Sequence, residues 1–425
     1  MGRKVFLSML GTGVYSPCTY KYQGHEANPT RFIQRATLQL IGAKSWNKND
    51  RMMILLTGKA RKLNWAVKGN KREVRREIRG EVRKETIDYI GLKTELENLR
   101  LPCPIGNINI PEGKNHEEMW KIFDIIYDKL NDGDELYIDL THGFRYLPML
   151  IVLVNYAKFL KNVQIKSMTY GNFEAQEKGI TPVVDLLPIA SLQDWTTAAA
   201  DYINNGYTKH LKDLDRKNKF VKKLCDVTLE RQTCRGIDID NGRNVKKLLE
   251  LKTDAEKPLI ARLYKKIQEE EQKRQEESVN SCLTAASWCY DNALYQQAIT
   301  ILEEGLVTFV YKKCKDITDN RNLVESALNI QIRNIPEDKW NLGEKKPEDK
   351  EVYKNIVRKL LANPLFIKKD GHNNALIKLC SKIKKTRNDY NHAGFRPNAI
   401  RPNNIITKIQ EYIDSTEEII KTFDL

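Results

Sequence analysis

Arg387-Asn388-Asp389-Tyr390-Asn391-His392 sets a permanent cation and a titratable imidazole five positions apart near the end of a helical pattern. An arginine keeps its charge at any working pH and grips a phosphate through two donors. A histidine exchanges a proton near neutrality, so it can serve a 2′-hydroxyl or a leaving 5′-oxygen. Cleavage of RNA without a metal needs little else, because the 2′-hydroxyl supplies the nucleophile from within the substrate. Five residues turn through about 140° on a regular helix, so the two side chains converge only at a frayed end. The segment Ala393-Gly394-Phe395-Arg396-Pro397 provides such an end, and the helix dipole there favours a protonated histidine. The same spacing also suits two groups on a solvated basic face, and spacing alone leaves that alternative open.

A second constellation is Asp139-Leu140-Thr141-His142-Gly143-Phe144-Arg145, which follows an apolar run and leads into another. At the carboxyl end of a strand these residues stand where open α/β sheets bind ligands. Thr141 and Arg145 can donate to phosphates or base edges, Gly143 permits close backbone approach, and His142 can bond or stack with a base. The plainer alternative is a strand-to-helix turn capped by Asp139 and Thr141. The third constellation, Gly11-Thr12-Gly13-Val14-Tyr15, continues into Ser16 and is therefore no GxGxxG fingerprint. It is a glycine loop whose amides can approach a phosphate. Thr57-Gly58-Lys59, after another run, can add a donor from the same edge. His25, His116, His210 and His372 have neither metal-ligand nor catalytic spacing, and the eight cysteines form no CxxC pair, so no metal site is expected.

The elements that must position these groups fall into two kinds. Val5–Leu10, Met52–Leu56, Glu135–Leu140, Ile165–Tyr170 and Val183–Leu187 are short apolar runs ended by Gly, Thr or Pro. Helical patterns over 117–130 and 147–160 lie between them, with Pro148 in a first turn where its missing N–H is harmless. This alternation predicts a Rossmann-like domain with a parallel sheet over residues 1–190. From 191 the strand signals stop. Residues 256–277 are charged enough to read as an exposed helix or linker, so 191–280 is expected to be a helical connector. Residues 281–311 form a long helical pattern or pair, and 352–361, 375–390 and 405–423 continue an all-α domain over 281–425.

The chain has 425 residues, 41% of them hydrophobic, and its 71 Lys and Arg against 56 Asp and Glu leave +15. That composition excludes global disorder, and the surplus charge favours an anionic partner such as nucleic acid. No apolar run reaches the length of a membrane helix, and the start Met1-Gly2-Arg3-Lys4 enters a strand directly, which predicts a cytoplasmic protein without membrane partners.

Taken together the motifs resemble a known family. Asp139-Leu140-Thr141-His142-Gly143 is similar to the DxTHG motif of CRISPR-associated proteins of type III systems. Arg387-Asn388 through His392 is similar to the R-polar-x3-H motif of HEPN ribonucleases. Both occur in the family's order, on an α/β half followed by an α-helical half, and the likeness covers essentially the whole chain. It implies a ligand-sensing CARF domain joined to a HEPN ribonuclease. Such proteins form homodimers or larger homo-oligomers, cut single-stranded RNA, and are activated by cyclic oligoadenylate, here expected to be tetra-adenylate. The resemblance assigns the activator to Gly11, Thr12, Gly13, Tyr15, Thr57, Thr141, His142, Gly143 and Arg145. It assigns catalysis to Arg387 and His392, with Asn388 as the polar second position, and it calls for no cofactor. Two rivals remain at this point: a sensor whose helical domain only binds RNA or a partner, and a nucleotide-cofactor enzyme, which the missing GxGxxG disfavours.

Overall fold

The computed structural model describes residues 2–67, 70–78, 81–143, 146–255, 258–278, 280–343, 348–367, 374–392, 394–395 and 398–424. The chain divides into two units, Met1–Gln193 and Asp194–Leu425.

In the first unit the strands are β1 (Lys4–Met9), β2 (Thr19–Tyr22), β3 (His25–Glu26), β4 (Arg51–Leu56), β5 (Asn70–Ile78), β6 (Glu81–Tyr89), β7 (Ile105–Asn109), β8 (Glu135–Asp139), β9 (Gln164–Gly171) and β10 (Ile180–Asp185). Eight of them form one sheet in the order β3-β2-β10-β9-β8-β1-β4-β7, while β5 and β6 form a separate ribbon. The neighbours β7, β4, β1, β8 and β9 run parallel. Parallel strands buried on both faces explain the continuous apolar runs. Val5, Leu7 and Met9 pack with Ile122, Ile126, Leu150 and Val154 on one face. Phe6, Met52 and Ile54 pack with Phe32, Leu38, Trp65 and Leu96 on the other.

The sheet is mixed rather than wholly parallel, because β10 pairs antiparallel with β9. The few residues between Gly171 and Ile180 cannot make the crossover that parallel pairing needs, which takes a dozen or more. The strand also stops earlier than its apolar run. Leu187 already opens the helix Leu187–Asn205, its N–H held by Asp185 Oδ1 at 2.9 Å.

The second unit is helical around one core that runs from Ala198 to Ile420. The pattern over 281–311 resolves into a pair, Ser281–Asp291 and Tyr295–Lys313, broken where Ala293 takes φ 57°. The charged stretch, expected to be an exposed helix or linker, is the helix Pro258–Glu276, largely exposed but with Ile260, Tyr264, Ile267 and Glu271 buried along one face. Glu271 points inward because Arg231 donates to both its oxygens, at 3.1 and 2.7 Å, and the Tyr202 hydroxyl adds a third bond at 2.7 Å. A paired and fully bonded charge tolerates burial that a lone one does not, and no count of charges along the chain shows the pairing.

Candidate functional site

From β1 the sheet grows outward through β4 to β7, and the chain then returns to lay β8 against the other side of β1. Ligands of open α/β sheets bind outside the carboxyl ends of strands where the order reverses in this way. The loops at Gly11–Gly13 and Thr141–Gly143 leave the carboxyl ends of these two strands, so topology alone brings them together.

A polar lock holds the loops. Ser8 and Asp139 are partners in the β1–β8 register. Ser8 Oγ donates to Asp139 Oδ2 at 2.6 Å, while Thr141 donates its hydroxyl at 2.5 Å and its N–H at 3.2 Å to Oδ1. The Gly171 N–H, at the end of β9, donates to Thr141 Oγ1 at 2.8 Å. One buried carboxylate thereby ties three strand ends. Burial raises the Asp139 carboxyl above the ordinary range, opposed by the Ser8 and Thr141 hydroxyls.

His142 stacks on Tyr15 with ring centroids 4.6 Å apart, so one face of the imidazole is already covered. Burial lowers its pKa, partly offset by the nearby Asp139. Tyr15 in turn meets Phe32 edge-on, and burial pushes its phenol up to about 12, so it stays a hydroxyl. Gly11 has no room for a side chain: a Cβ there would stand 2.1 Å from the Tyr15 hydroxyl oxygen and 3.2 Å from the His142 ring. A Cβ on Gly143 would stand 3.0 Å from Met9 Sδ. Gly11, Tyr15, Thr141, His142 and Gly143 thus meet in one place, with Thr12 and Gly13 exposed beside them. Thr57 is engaged locally, its hydroxyl accepting the Ala60 N–H at 3.2 Å. Arg145 lies outside the described residues. Buried, hydrogen-bonded side chains thus lie behind the exposed backbone of the Gly11–Gly13 loop, a layout suited to binding.

In the helical unit, Asn374 caps the helix Ala375–Asn391 through the Ile377 N–H, and Leu376, Ile377, Leu379, Cys380, Ile383 and Thr386 bury its inner face. Arg387 donates from Nε to Glu303 Oε2 at 2.6 Å, across to the helix Tyr295–Lys313. His392 is the exposed residue that ends the helix, its N–H bonded to the Asn388 carbonyl at 3.1 Å. The helix stays regular through Asn391, so the expected fraying does not occur before His392, and Arg387 and His392 leave it about 140° apart. Asp389 Oδ2 accepts the Ile400 N–H at 3.0 Å and fastens the chain beyond the helix.

Sequence reasoning passed over Ser8, Asn64 and Glu303. Ser8 is the one polar residue in the apolar run Val5–Leu10, and Asn64 is a lone amide between Leu63 and Trp65, so both carried a signal. Glu303 carried none, since Glu304 beside it reads the same way. Among the described residues no group of three His, Cys, Asp or Glu side chains is placed to hold a metal ion, and no helix is long and apolar enough to cross a membrane.

Comparison with known proteins agrees with the sheet and its loops. Residues 5–174 match the family described as CRISPR system endoribonuclease Csx1, CARF domain. The chain is also similar to CRISPR-associated protein MJ1674 of Methanocaldococcus jannaschii, 26% identical over 213 residues, which is 46% of this chain and 32% of that protein. The likeness therefore spans about a third of that relative's length. The strand order, the Asp139 lock and the match over residues 5–174 agree, so the first unit is similar to the CARF domain of Csx1, and the findings support a CRISPR-associated, CARF-containing protein.

Proposed function

We propose that this chain is a cyclic oligoadenylate-activated endoribonuclease that cuts single-stranded RNA, without a metal, in type III CRISPR antiviral defence. The observation that carries the reading is the meeting of Gly11, Tyr15, Thr141, His142 and Gly143 at the sheet reversal of a Csx1-type CARF domain, on a chain that also ends a helix with Arg387 and His392. In this reading residues 1–190 sense the ligand, 191–280 transmit, and 281–425 are the HEPN ribonuclease. Tetra-adenylate is the first ring to test.

The active form is a homodimer or a larger homo-oligomer. The helix Leu147–Lys161, which follows the His142 turn, leaves Val152, Tyr156 and Phe159 exposed, the last at 85%, near Trp120 of the preceding helix. A patch of that kind suits a partner, and a second copy would set two identical pockets against one ring-shaped ligand. At the other unit, 140° between Arg387 and His392 makes one chain a poor site, and two helix ends facing each other a better one. There Arg387 binds the scissile phosphate, His392 moves the proton of the 2′-hydroxyl or the leaving oxygen, and Asn388 orients the pair. The ligand then acts by favouring the arrangement in which both copies are competent.

One observation favours a second reading. Glu303 holds the Arg387 guanidinium at 2.6 Å, which is also how a structural ion pair in a binding-only domain would look. The deciding experiment is cleavage of a fluorescent single-stranded RNA in EDTA, with and without cyclic tetra-adenylate. Ligand-dependent cutting is expected; RNA left intact with every ring size would leave the non-catalytic sensor.

A further inference from the structure

We infer that Asn64 is a positioning residue for the ligand, acting by fixing which way the peptides of the Gly11–Gly13 loop face; the inference rests on reading that loop as the ligand site. Asn64 is completely buried. Its amide nitrogen donates to the Gly11 carbonyl at 2.9 Å and to the Gly13 carbonyl at 2.8 Å. Its Oδ1 accepts the Tyr89 hydroxyl at 2.9 Å. A single side chain therefore sits beneath the loop and holds two alternate carbonyls.

The consequence follows from peptide geometry. The chain has no cis peptide among its described residues, and in a trans peptide the carbonyl and the following N–H point in opposite directions. Drawing the Gly11 and Gly13 carbonyls down onto Asn64 turns the N–H groups of Thr12 and Val14 away from it, toward the exposed side of the loop. Neither N–H has an acceptor among the described residues, and both residues are exposed. The Gly13 amide between them faces the Tyr15 hydroxyl instead. Two outward donors one residue apart make a small concavity for an anionic oxygen, which is the chemistry of a phosphodiester.

Two further features single out Asn64. It lies in Arg61–Trp65, a π-helical turn, a geometry that is rare and concentrated at functional positions. Its partner Tyr89 closes the β5–β6 ribbon, is itself completely buried, and is held by Phe32 edge-on and by the Arg31 guanidinium 4.6 Å over its ring. The loop is thus clamped from a fixed base and presents its donors before any ligand arrives.

The test is calorimetric titration of the full chain with cyclic tetra-adenylate, comparing wild type, Asn64→Asp and Tyr89→Phe. The isosteric Asn64→Asp cannot donate and sets a carboxylate against two carbonyls, so Kd is expected to rise at least about 30-fold, the loss of two hydrogen bonds, with the number of sites unchanged. Tyr89→Phe keeps the donors but frees the amide to turn, and a rise of about 5-fold is expected. A merely structural role would lower the number of binding-competent sites and leave Kd alone, and that result would overturn the assignment, as would an equal Kd in all three proteins. If Asn64→Asp does not fold, an unchanged Kd for Tyr89→Phe overturns it alone. Wild type that binds no cyclic oligoadenylate would instead remove the ligand reading, and the assignment with it.

Discussion

At the carboxyl edge of the sheet, Ser8, Asp139, Thr141 and the Gly171 amide bond one another, whereas at the end of the helix Ala375–Asn391 the imidazole of His392 stands in solvent and Arg387 pairs with Glu303 at 2.6 Å and more loosely with Glu304 at 3.9 Å. The first region has nothing left to rearrange: its polar groups are buried, paired and shielded, and what it offers outward is backbone. In the second, the His392 side chain has no hydrogen-bond partner among the described residues. A binding pocket gains from being finished before the ligand comes, because ordering it later would weaken binding. A reactive centre completed only by a second copy can be kept idle until the copies are arranged. On the proposed function, the contrast is between a preformed ligand site and a reactive pair that a second copy would complete.

The comparison can be broken by measuring where stability resides. The largest effect is expected away from both sites. Arg231→Met strands Glu271 as a buried charge, and denaturant unfolding of the helical unit should lose about 3–5 kcal/mol. Next, Asp139→Ala leaves the Ser8 and Thr141 donors without an acceptor, and the CARF unit should lose about 2–4 kcal/mol in the same assay. Gly11→Ala must displace Tyr15 or the loop. About 1–3 kcal/mol and most of the ligand affinity should go together, read by thermal melting and calorimetry.

Smaller is the pH dependence set by His142. Its pKa is lowered in the folded state by burial, so as pH falls below about 6.5 the unfolded chain takes up a proton that the folded chain refuses. Stability gained from the neutral imidazole is present above that pH and is lost as pH falls through the folded pKa. The raised carboxyl of Asp139 works in the opposite sense. Melting wild type against His142→Asn between pH 5 and 8 therefore isolates the histidine, and the difference should shrink toward the acid side. The smallest change is expected for His392→Ala, exposed and without a side-chain bond among the described residues, within about 0.5 kcal/mol in denaturant unfolding.

Much of the sheet was legible because parallel strands buried on both faces read as unbroken apolar runs ended by glycine. The edge strand Ile105–Asn109 and the β5–β6 ribbon were not. Asn107 and Asn109 sit at the rim, where Arg61 binds their side chains at 2.7 and 2.8 Å, and the ribbon sequence is mostly charged, with no unbroken apolar run. The meeting of the loops at Gly11–Gly13 and Thr141–Gly143 could be anticipated, since both follow apolar runs that form neighbouring parallel strands. What holds them could not, because Asn64 reaches Gly11 from 53 positions away through a π turn that no periodicity announces. The buried face of the charged helix Pro258–Glu276 escapes the sequence for the same reason: the partner that lets Glu271 turn inward is 40 positions upstream.

The proposed division of ligand binding from RNA cleavage is tested most directly by RNA cleavage against cyclic tetra-adenylate concentration for wild type, Gly11→Ala and His392→Ala, with ligand Kd measured on the same samples. Gly11→Ala should need more ligand yet reach the wild-type plateau. His392→Ala should bind ligand normally and cut at least about 100-fold more slowly at any concentration, the usual scale for loss of a general acid or base. Cutting by His392→Ala at the wild-type rate, or cutting by wild type that ignores the ligand, would contradict it.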